Sequence, residues 1–187
     1  LSEFLDISQL SINRFIESNV QGMREWLEQH APLYQDNDPI SKRQYVSAIL
    51  EGEPLTAQAQ HRLSYSFEQD HLSAIIWTPN SDAQLSQLEF IKDIFIDHTQ
   101  AKSYLNVIAG SATLWLWCQP TQLLDAYHLR QQLKKFPHIR MALGSLAKGL
   151  DGFRHSHFEA LTVQRLMARL SPPHALVSIE QARLISL

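Results

Sequence analysis

The sequence predicts an α+β fold, an antiparallel sheet with helices packed on it, preceded by a long N-terminal helix. One observation is the order of predicted elements after residue 38, which contains β-α-β-β-α-β. A second is a hairpin signal, two apolar strand-like runs joined by a short connection at residues 109–111. A third is a glycine cluster between a strand-like run and a long helical pattern. Together they indicate the ferredoxin-like arrangement.

Composition narrows the class of protein. The 187 residues are 44% hydrophobic, enough for one domain with an extension. The formal net charge of −3 offers no basic face for nucleic acid. We find no signal peptide pattern and no apolar run near the roughly 20 residues of a membrane span. The single cysteine, Cys118, fits a reducing compartment, so a cytoplasmic protein is expected.

The two ends of the chain predict a piece of a longer protein. The chain begins at Leu1 without methionine and ends in an apolar run from Leu184 to Leu187. We expect two parts, a helix with a linker over residues 1–37 and a folded domain over residues 38–187.

Residues 6–30 form the predicted N-terminal helix. Its apolar residues recur three or four positions apart and share one stripe: Ile12, Ile16, Val20, Met23 and Leu27. Two interpretations stay open, since the stripe could pack on its own domain or pair with a helix of a second subunit or another domain. A predicted linker containing Pro32 follows and favours the pairing, so we expect a homodimer formed through this stripe.

Capping residues delimit the elements before the hairpin. Pro39 begins one helix and Thr56 caps a shorter one. Leu72–Trp77 is the first strand, predicted to be central because it is apolar on both faces near its end. A capping box at Ser81 and Gln84 opens the next helix. Four of its side chains are expected to face the sheet: Leu85, Leu88, Ile91 and Phe95.

The hairpin joins strands Tyr104–Ile108 and Thr113–Cys118. Trp115 and Trp117 lie on one face of the second strand, and we interpret them as core residues rather than a ligand stack. The other face is apolar as well: Leu114, Leu116 and Cys118. Burial on both faces predicts another central strand, in which Cys118 is a buried thiol rather than a nucleophile.

The remainder is predicted as helix, strand, helix, strand, helix. Pro120 and Thr121 open the first of these helices, and Ile139–Leu143 is the strand after it. The first helix carries four apolar residues: Leu123, Leu124, Tyr127 and Leu133. Pro172-Pro173 ends the long helix before a short strand within residues 174–179 and a final helix over 180–187.

Three of the six glycines, Gly144, Gly149 and Gly152, fall within nine residues. Glycine allows positive φ and close approach of two backbones. The segment therefore predicts a shaped loop that sets the angle of the helix Phe153–Leu170, with Asp151 as its N-cap.

The pattern G-x4-G-x2-G-F-R-x-S-H-x-E-A resembles the signature of the degenerate GGDEF-like domain in bacterial PucR/CdaR-type transcriptional regulators. The matching residues are Gly144, Gly149, Gly152, Phe153, Arg154, Ser156, His157, Glu159 and Ala160. Ala48–Leu55 resembles the helix end and turn that open that domain. The resemblance implies a cyclase-like fold in a regulatory domain over residues 38–187. It also implies a helix-turn-helix DNA-binding domain after the end of this sequence.

The hairpin turn decides what the resemblance implies about catalysis. Active diguanylate cyclases carry a Gly-Gly-acidic-Glu-Phe motif there, whose carboxylate helps to hold metal ions. Here Ala109–Thr113 reads Ala-Gly-Ser-Ala-Thr and contains no carboxylate, although two-metal chemistry needs oxygen ligands on magnesium. Near the start of the first strand, where active cyclases carry their other acidic ligand, the acidic residue of this sequence is Asp70. We therefore expect no enzyme and no cofactor.

The remaining candidate residues lie around the glycine cluster. Lys148, Gly149 and Arg154 precede or open a helix and could receive an anion, although the glycine spacing favours a packing loop. Ser156 and His157 are expected to fix the helix on the sheet. Arg154 and Glu159 are expected to bond neighbouring loops. His-x3-His and Cys-x2-Cys pairs are missing from the sequence, so no zinc site is expected.

Three functional hypotheses follow. The first is a non-catalytic regulatory and dimerisation module that couples an N-terminal region to a helix-turn-helix domain. The alternative is a domain that senses a small molecule or nucleotide near the Gly144–Gly152 loop. A residual phosphotransfer enzyme is the third, and the turn without a carboxylate disfavours it.

Overall fold

The computed structural model describes residues 39–79, 85–170 and 175–185. The chain divides into two compact units, Leu1–Ser41 and Lys42–Leu187, and almost all described residues belong to the second. The predicted N-terminal helix with its apolar stripe, the capping box at Ser81 and Gln84, and Pro172-Pro173 lie outside the described residues.

Twelve helices and strands make up the described part of the chain. In order they are α1 (Pro39–Leu50), α2 (Ala57–Leu63), β1 (Asp70–Trp77), α3 (Leu85–Thr99), β2 (Tyr104–Gly110), β3 (Thr113–Cys118), α4 (Ala126–Leu133), β4 (Arg140–Leu143), β5 (Ala147–Lys148), α5 (Gly149–Leu170), β6 (Leu176–Ser178) and α6 (Ile179–Ile185). None of these helices is long and apolar enough to span a bilayer.

The sheet has the strand order β2-β3-β1-β4-β6, and the two-residue β5 pairs with the start of β1. Neighbouring strands run antiparallel except β4 and β6, which are parallel. The predicted α+β fold with an antiparallel ferredoxin-like sheet is therefore confirmed. β1 lies at the centre as predicted, because Ile75 pairs with Trp115 on one side and Ala142 on the other.

Successive side chains of each strand point to opposite faces of the sheet, so the core is divided between these two faces. Ala74, Ile76 and Leu116 face α3 and α4, whose Leu88, Ile91, Phe95, Leu129 and Leu133 are buried against them. Ile75, Trp117 and Ala142 face the opposite side, where α5 packs with α1 and α6. Both faces are covered, so β1 is buried at every position except Asp70.

Several local predictions were wrong. Leu85 is 36% exposed rather than turned toward the sheet. The helix predicted from Pro120 begins at Ala126, because the Asp125 carboxylate accepts the His128 N–H at 3.0 Å and caps it there. Two apolar residues assigned to that helix are exposed instead: Leu123 at 92% and Tyr127 at 65%.

Asp151 is not the N-cap of the long helix. α5 begins at Gly149, two residues earlier, so Asp151 lies in the first turn. Its carboxylate pairs with Arg154 Nη1 at 3.1 Å. A negative charge in the first turn still interacts favourably with the helix dipole, which explains why the sequence pattern resembles a cap.

Candidate functional site

The hairpin turn folds against the end of β1. Gly110 pairs with Thr113 after a register irregularity at Ile108, and the carbonyl of Ala112 accepts the N–H of Thr78 at 3.1 Å. The side chains that the turn offers are the methyl groups of Ala109 and Ala112 and the hydroxyls of Ser111 and Thr113. Neutral hydroxyls do not supply the negative charge that a magnesium-bound triphosphate site needs.

Asp70 lies at the opposite end of β1 from this turn. It pairs with Lys148, whereas Trp77, seven residues further along, pairs with Thr113 beside the turn. The two ends are about 23 Å apart in an extended strand, so Asp70 and the hairpin turn do not meet at one metal ion. Within residues 39–79, 85–170 and 175–185, no group of three or more His, Cys, Asp or Glu side chains is arranged to hold a metal.

The glycine cluster is a region of close backbone contact. A β-carbon on Gly144 would overlap the backbone oxygen of Ser156, and one on Gly152 would come within 2.5 Å of the Ala147 carbonyl carbon. Gly149 has φ of +76° and donates its N–H to the carbonyl of Gln69 at 2.9 Å. These contacts support the packing-loop interpretation, because the glycines let α5 lie directly on the loop and the sheet.

Ser156 completes the hydrogen bonding of the central strand. The N–H of Ser73 donates to Ser156 Oγ at 2.8 Å, and the Ser73 carbonyl accepts the N–H of Gly144 at 3.0 Å. Ser73 Oγ donates to the Leu116 carbonyl at 3.1 Å on the neighbouring strand. A helix side chain thus satisfies a buried strand amide, and the prediction that Ser156 fixes the helix on the sheet is confirmed.

Trp117 joins the sheet to α5 through ring contacts. It stacks on Phe153 with centroids 4.4 Å apart and on His157 at 4.6 Å, and its Nε1 donates to the Phe153 carbonyl at 3.1 Å. Burial lowers the pKa of His157 to about 3, so its ring is neutral. Its Nε2 has no hydrogen-bond partner among the described residues. His157 and Trp117 are fully buried, which supports core roles for both.

Cys118 lies on the other face of β3. It is fully buried, and burial raises the pKa of its thiol to about 12. A thiol with that pKa remains protonated at neutral pH and is a poor nucleophile. The predicted buried thiol is therefore confirmed.

Arg154 attaches α5 to the end of α1. Its Nε donates to the Ile49 carbonyl at 2.7 Å and its Nη2 to the Glu53 carbonyl at 2.9 Å. These carbonyls lie at and just beyond the C-terminus of α1, where the helix dipole also favours a cation. With Nη1 on Asp151, all three guanidinium nitrogens have protein partners.

Glu159 attaches the same helix to the glycine loop and to α6. Its Oε2 accepts the N–H of Ser145 at 2.8 Å and the Ser145 hydroxyl at 2.5 Å. Its Oε1 accepts Arg183 Nη2 at 2.7 Å and lies 3.2 Å from His155 Nε2. Burial opposes ionisation, but the Ser145 hydrogen bonds and the two basic groups hold the pKa of Glu159 below its usual value.

The predicted anion-binding residues are brought together at the start of α5. Lys148 is exposed on β5, while Gly149 and Arg154 direct their donors to protein carbonyls and to Asp151. Binding of an anion by these three residues stays a prediction. The predicted loop contacts of Arg154 and Glu159 are confirmed. Sequence reasoning missed Arg183, because no pattern relates a residue of α6 to a carboxylate 24 positions earlier.

These contacts define an α+β domain whose glycine-rich signature docks one helix on a central antiparallel sheet. The chain belongs to the GGDEF-like domain family, whose sequence profile matches residues 51–166. A search of curated protein sequences finds no match.

The fold is shared with a solved structure. It is the crystal structure of a regulator of polyketide synthase expression from Bifidobacterium adolescentis, with a TM-score of 0.53 and 15% sequence identity. The match covers 76% of this chain and 56% of that one, so the chain corresponds to little more than half of that regulator.

Proposed function

We propose that this domain is a non-catalytic regulatory and dimerisation module of a PucR/CdaR-type bacterial transcriptional regulator. In this proposal it couples an N-terminal region to a C-terminal helix-turn-helix DNA-binding domain. Membership of the GGDEF-like family supports it, as does the fold shared with a protein named as a regulator of polyketide synthase expression.

One observation carries the proposal, namely that α5 contacts elements at both ends of the domain. Arg154 binds carbonyls at the end of α1, and Glu159 binds Arg183 of α6. The two signature residues are five positions apart, about 7.5 Å along a rigid helix. A displacement of α1 would therefore reach α6 through a single helix, as a relay between an input and an output segment requires.

The catalytic alternative lacks a carboxylate at the hairpin turn, where the cyclase resemblance would place one. The hairpin turn has no carboxylate, and Asp70 is at the far end of β1. A cyclase needs negatively charged ligands at the hairpin turn to hold two metal ions and a triphosphate. The regulatory proposal needs no chemistry there.

A dimer-dependent reporter tests the proposal. Residues 1–187 are fused to a DNA-binding domain that occupies its operator only as a dimer, and we expect repression of the reporter. Ile16→Asp, which places a charge on the predicted apolar stripe, should abolish repression. Leu123→Asp is the matched control, because Leu123 is 92% exposed, and it should leave repression unchanged. Light scattering that shows a monomer for the unaltered chain, or equal behaviour of both variants, would contradict the proposal.

A further inference from the structure

We propose that the groove between α5 and α6 binds a small organic anion with an apolar body, such as an aromatic carboxylate. The groove has a volume of about 680 Å³, within the range of small-molecule sites. Its apolar lining comes from Leu166, Ile179 and Ala182, and its charges from Arg165, Arg169 and Arg183. The inference does not depend on the proposed function.

The charges of the groove are only partly neutralised. Arg183 is paired with Glu159 at 2.7 Å. Arg165 and Arg169 are exposed and form no ion pair with the residues that the structure describes. Four positions apart on α5, they repel each other and weaken the helix. The helix dipole favours Arg169 in the last turn but not Arg165 one turn earlier, so a bound anion is the partner that both would share.

The ligand class follows from the donors and the lining. A guanidinium presents a planar pair of N–H donors that matches a carboxylate, and the aliphatic side chains beside it exclude water from an apolar group. The α5 residues of the groove, 162–169, extend along roughly 10 Å of helix. That length suits a single ring system better than a peptide helix. An acidic amphipathic peptide is the alternative that the experiment distinguishes.

The position of Arg183 links such a ligand to α6. The same guanidinium lines the groove and holds Glu159 of the signature. A carboxylate in the groove would compete with Glu159 for it. Binding would then alter how α6 is attached to α5.

The test is a titration of the isotope-labelled chain with 2-naphthoate, followed by amide NMR. We expect saturable shifts concentrated at the amides of residues 165–169 and 179–183, with a Kd on the order of 1 mM for a ligand of this size. The neutral isostere 2-naphthamide should bind at least about fivefold more weakly, because it lacks the charge that the arginines recognise.

Two double variants separate the groove from general surface charge. Arg165→Gln with Arg169→Gln should weaken 2-naphthoate binding by about tenfold. Arg43→Gln with Lys102→Gln removes two exposed charges elsewhere on the surface. This control should leave the Kd within twofold, because distant charges attract the ligand only weakly. Equal binding of acid and amide, equal effects of the two double variants, or no saturable shift would each overturn the proposal. It would also be overturned if the groove amides responded to an acidic amphipathic peptide and not to 2-naphthoate.

Discussion

At Gly144, a β-carbon would overlap the backbone oxygen of Ser156. A backbone atom cannot rotate away as a flexible side chain can, so the helix itself would have to move. Gly110 offers the opposite case, because a β-carbon there meets nothing within 4 Å. The two glycines differ only in their surroundings, and the sequence did not reveal which neighbour each one approaches.

We therefore predict opposite outcomes for alanine at these two glycines. Gly144→Ala should lower the free energy of unfolding by at least about 2 kcal/mol, since α5 must shift off the loop. Gly110→Ala should stay within about 1 kcal/mol of the unaltered protein. Urea denaturation followed by circular dichroism measures both. Similar stabilities for the two variants would show that the close contact does not constrain α5.

His157 predicts a dependence of stability on pH. Its pKa falls from the usual 6.5 to about 3 on folding because burial disfavours the charged ring. Between pH 3 and pH 6.5, His157 therefore binds a proton in the unfolded chain but not in the folded chain. The stability that the neutral ring contributes to the folded state is fully present above about pH 6.5 and is lost as the pH falls toward 3.

The measurement compares the unaltered protein with His157→Phe between pH 7.5 and 4. Below pH 6.5 the stability of the unaltered protein should decline more steeply, by up to about 1.4 kcal/mol per pH unit. The comparison uses the slope, because the larger phenyl ring can change stability equally at every pH. Parallel curves would mean that His157 binds a proton as readily in the folded as in the unfolded chain, so that burial does not lower its pKa.

At the scale of elements, the polar signature residues of α5 hold the helix against its neighbours. Ser156, Arg154 and Glu159 contact β1, the end of α1 and α6 respectively. The sequence predicted that these side chains fix the helix and bond loops. It could not identify Ser73, Ser145 or Arg183 as their partners, because contacts across 83, 14 and 24 positions have no periodic signal.

Arg154 provides a direct test of the attachment between α1 and α5. Arg154→Gln should raise amide exchange around residues 50–54 and destabilise the protein by about 1 kcal/mol or more, since two carbonyls lose charge-assisted donors. Hydrogen exchange measured by mass spectrometry locates the effect. Arg43→Gln, on the exposed part of α1, is the matched control and should leave those residues unchanged. Exchange that stays unaltered in the Arg154 variant would remove Arg154 from the coupling proposal.

Helix ends were predicted less well than helix centres. Thr56 caps α2 as expected, with its hydroxyl accepting the Ala59 N–H at 3.1 Å. The residues before α4 instead form a loop tied to the preceding helix, since Thr121 bonds to the carbonyls of Thr99 and Gln100. Pro120 and Thr121 are compatible with a helix start, and only these tertiary bonds show that they belong to a loop.

At the scale of the whole molecule, the hairpin and the burial of both faces of β1 and β3 were enough to predict the sheet. Those two features place β1 and β3 in the middle, as the strand order β2-β3-β1-β4-β6 confirms. The short β5 had no signal in the sequence, because two residues are too few for an alternating pattern. The groove between α5 and α6 was likewise hidden, since it arises from the packing of two helices.

The whole fold also predicts the outcome of a turnover assay. With GTP and magnesium, the chain should form no cyclic dinucleotide above the protein-free background, because the hairpin turn has no carboxylate. An active diguanylate cyclase assayed in parallel shows that the conditions permit the reaction. Product above background, lost in a Ser111→Ala variant, would establish a different catalytic arrangement at this corner.

The contact of Trp117 with Phe153 and His157 gives the domain an intrinsic spectroscopic probe of the position of α5. Trp115 lies edge-on to Trp117 with centroids 6.4 Å apart, so the two indoles are close enough for their electronic transitions to interact. The resulting near-ultraviolet dichroism depends on ring geometry where α5 meets the sheet. A ligand or neighbouring domain that tilts α5 would therefore leave a spectral trace without any attached dye.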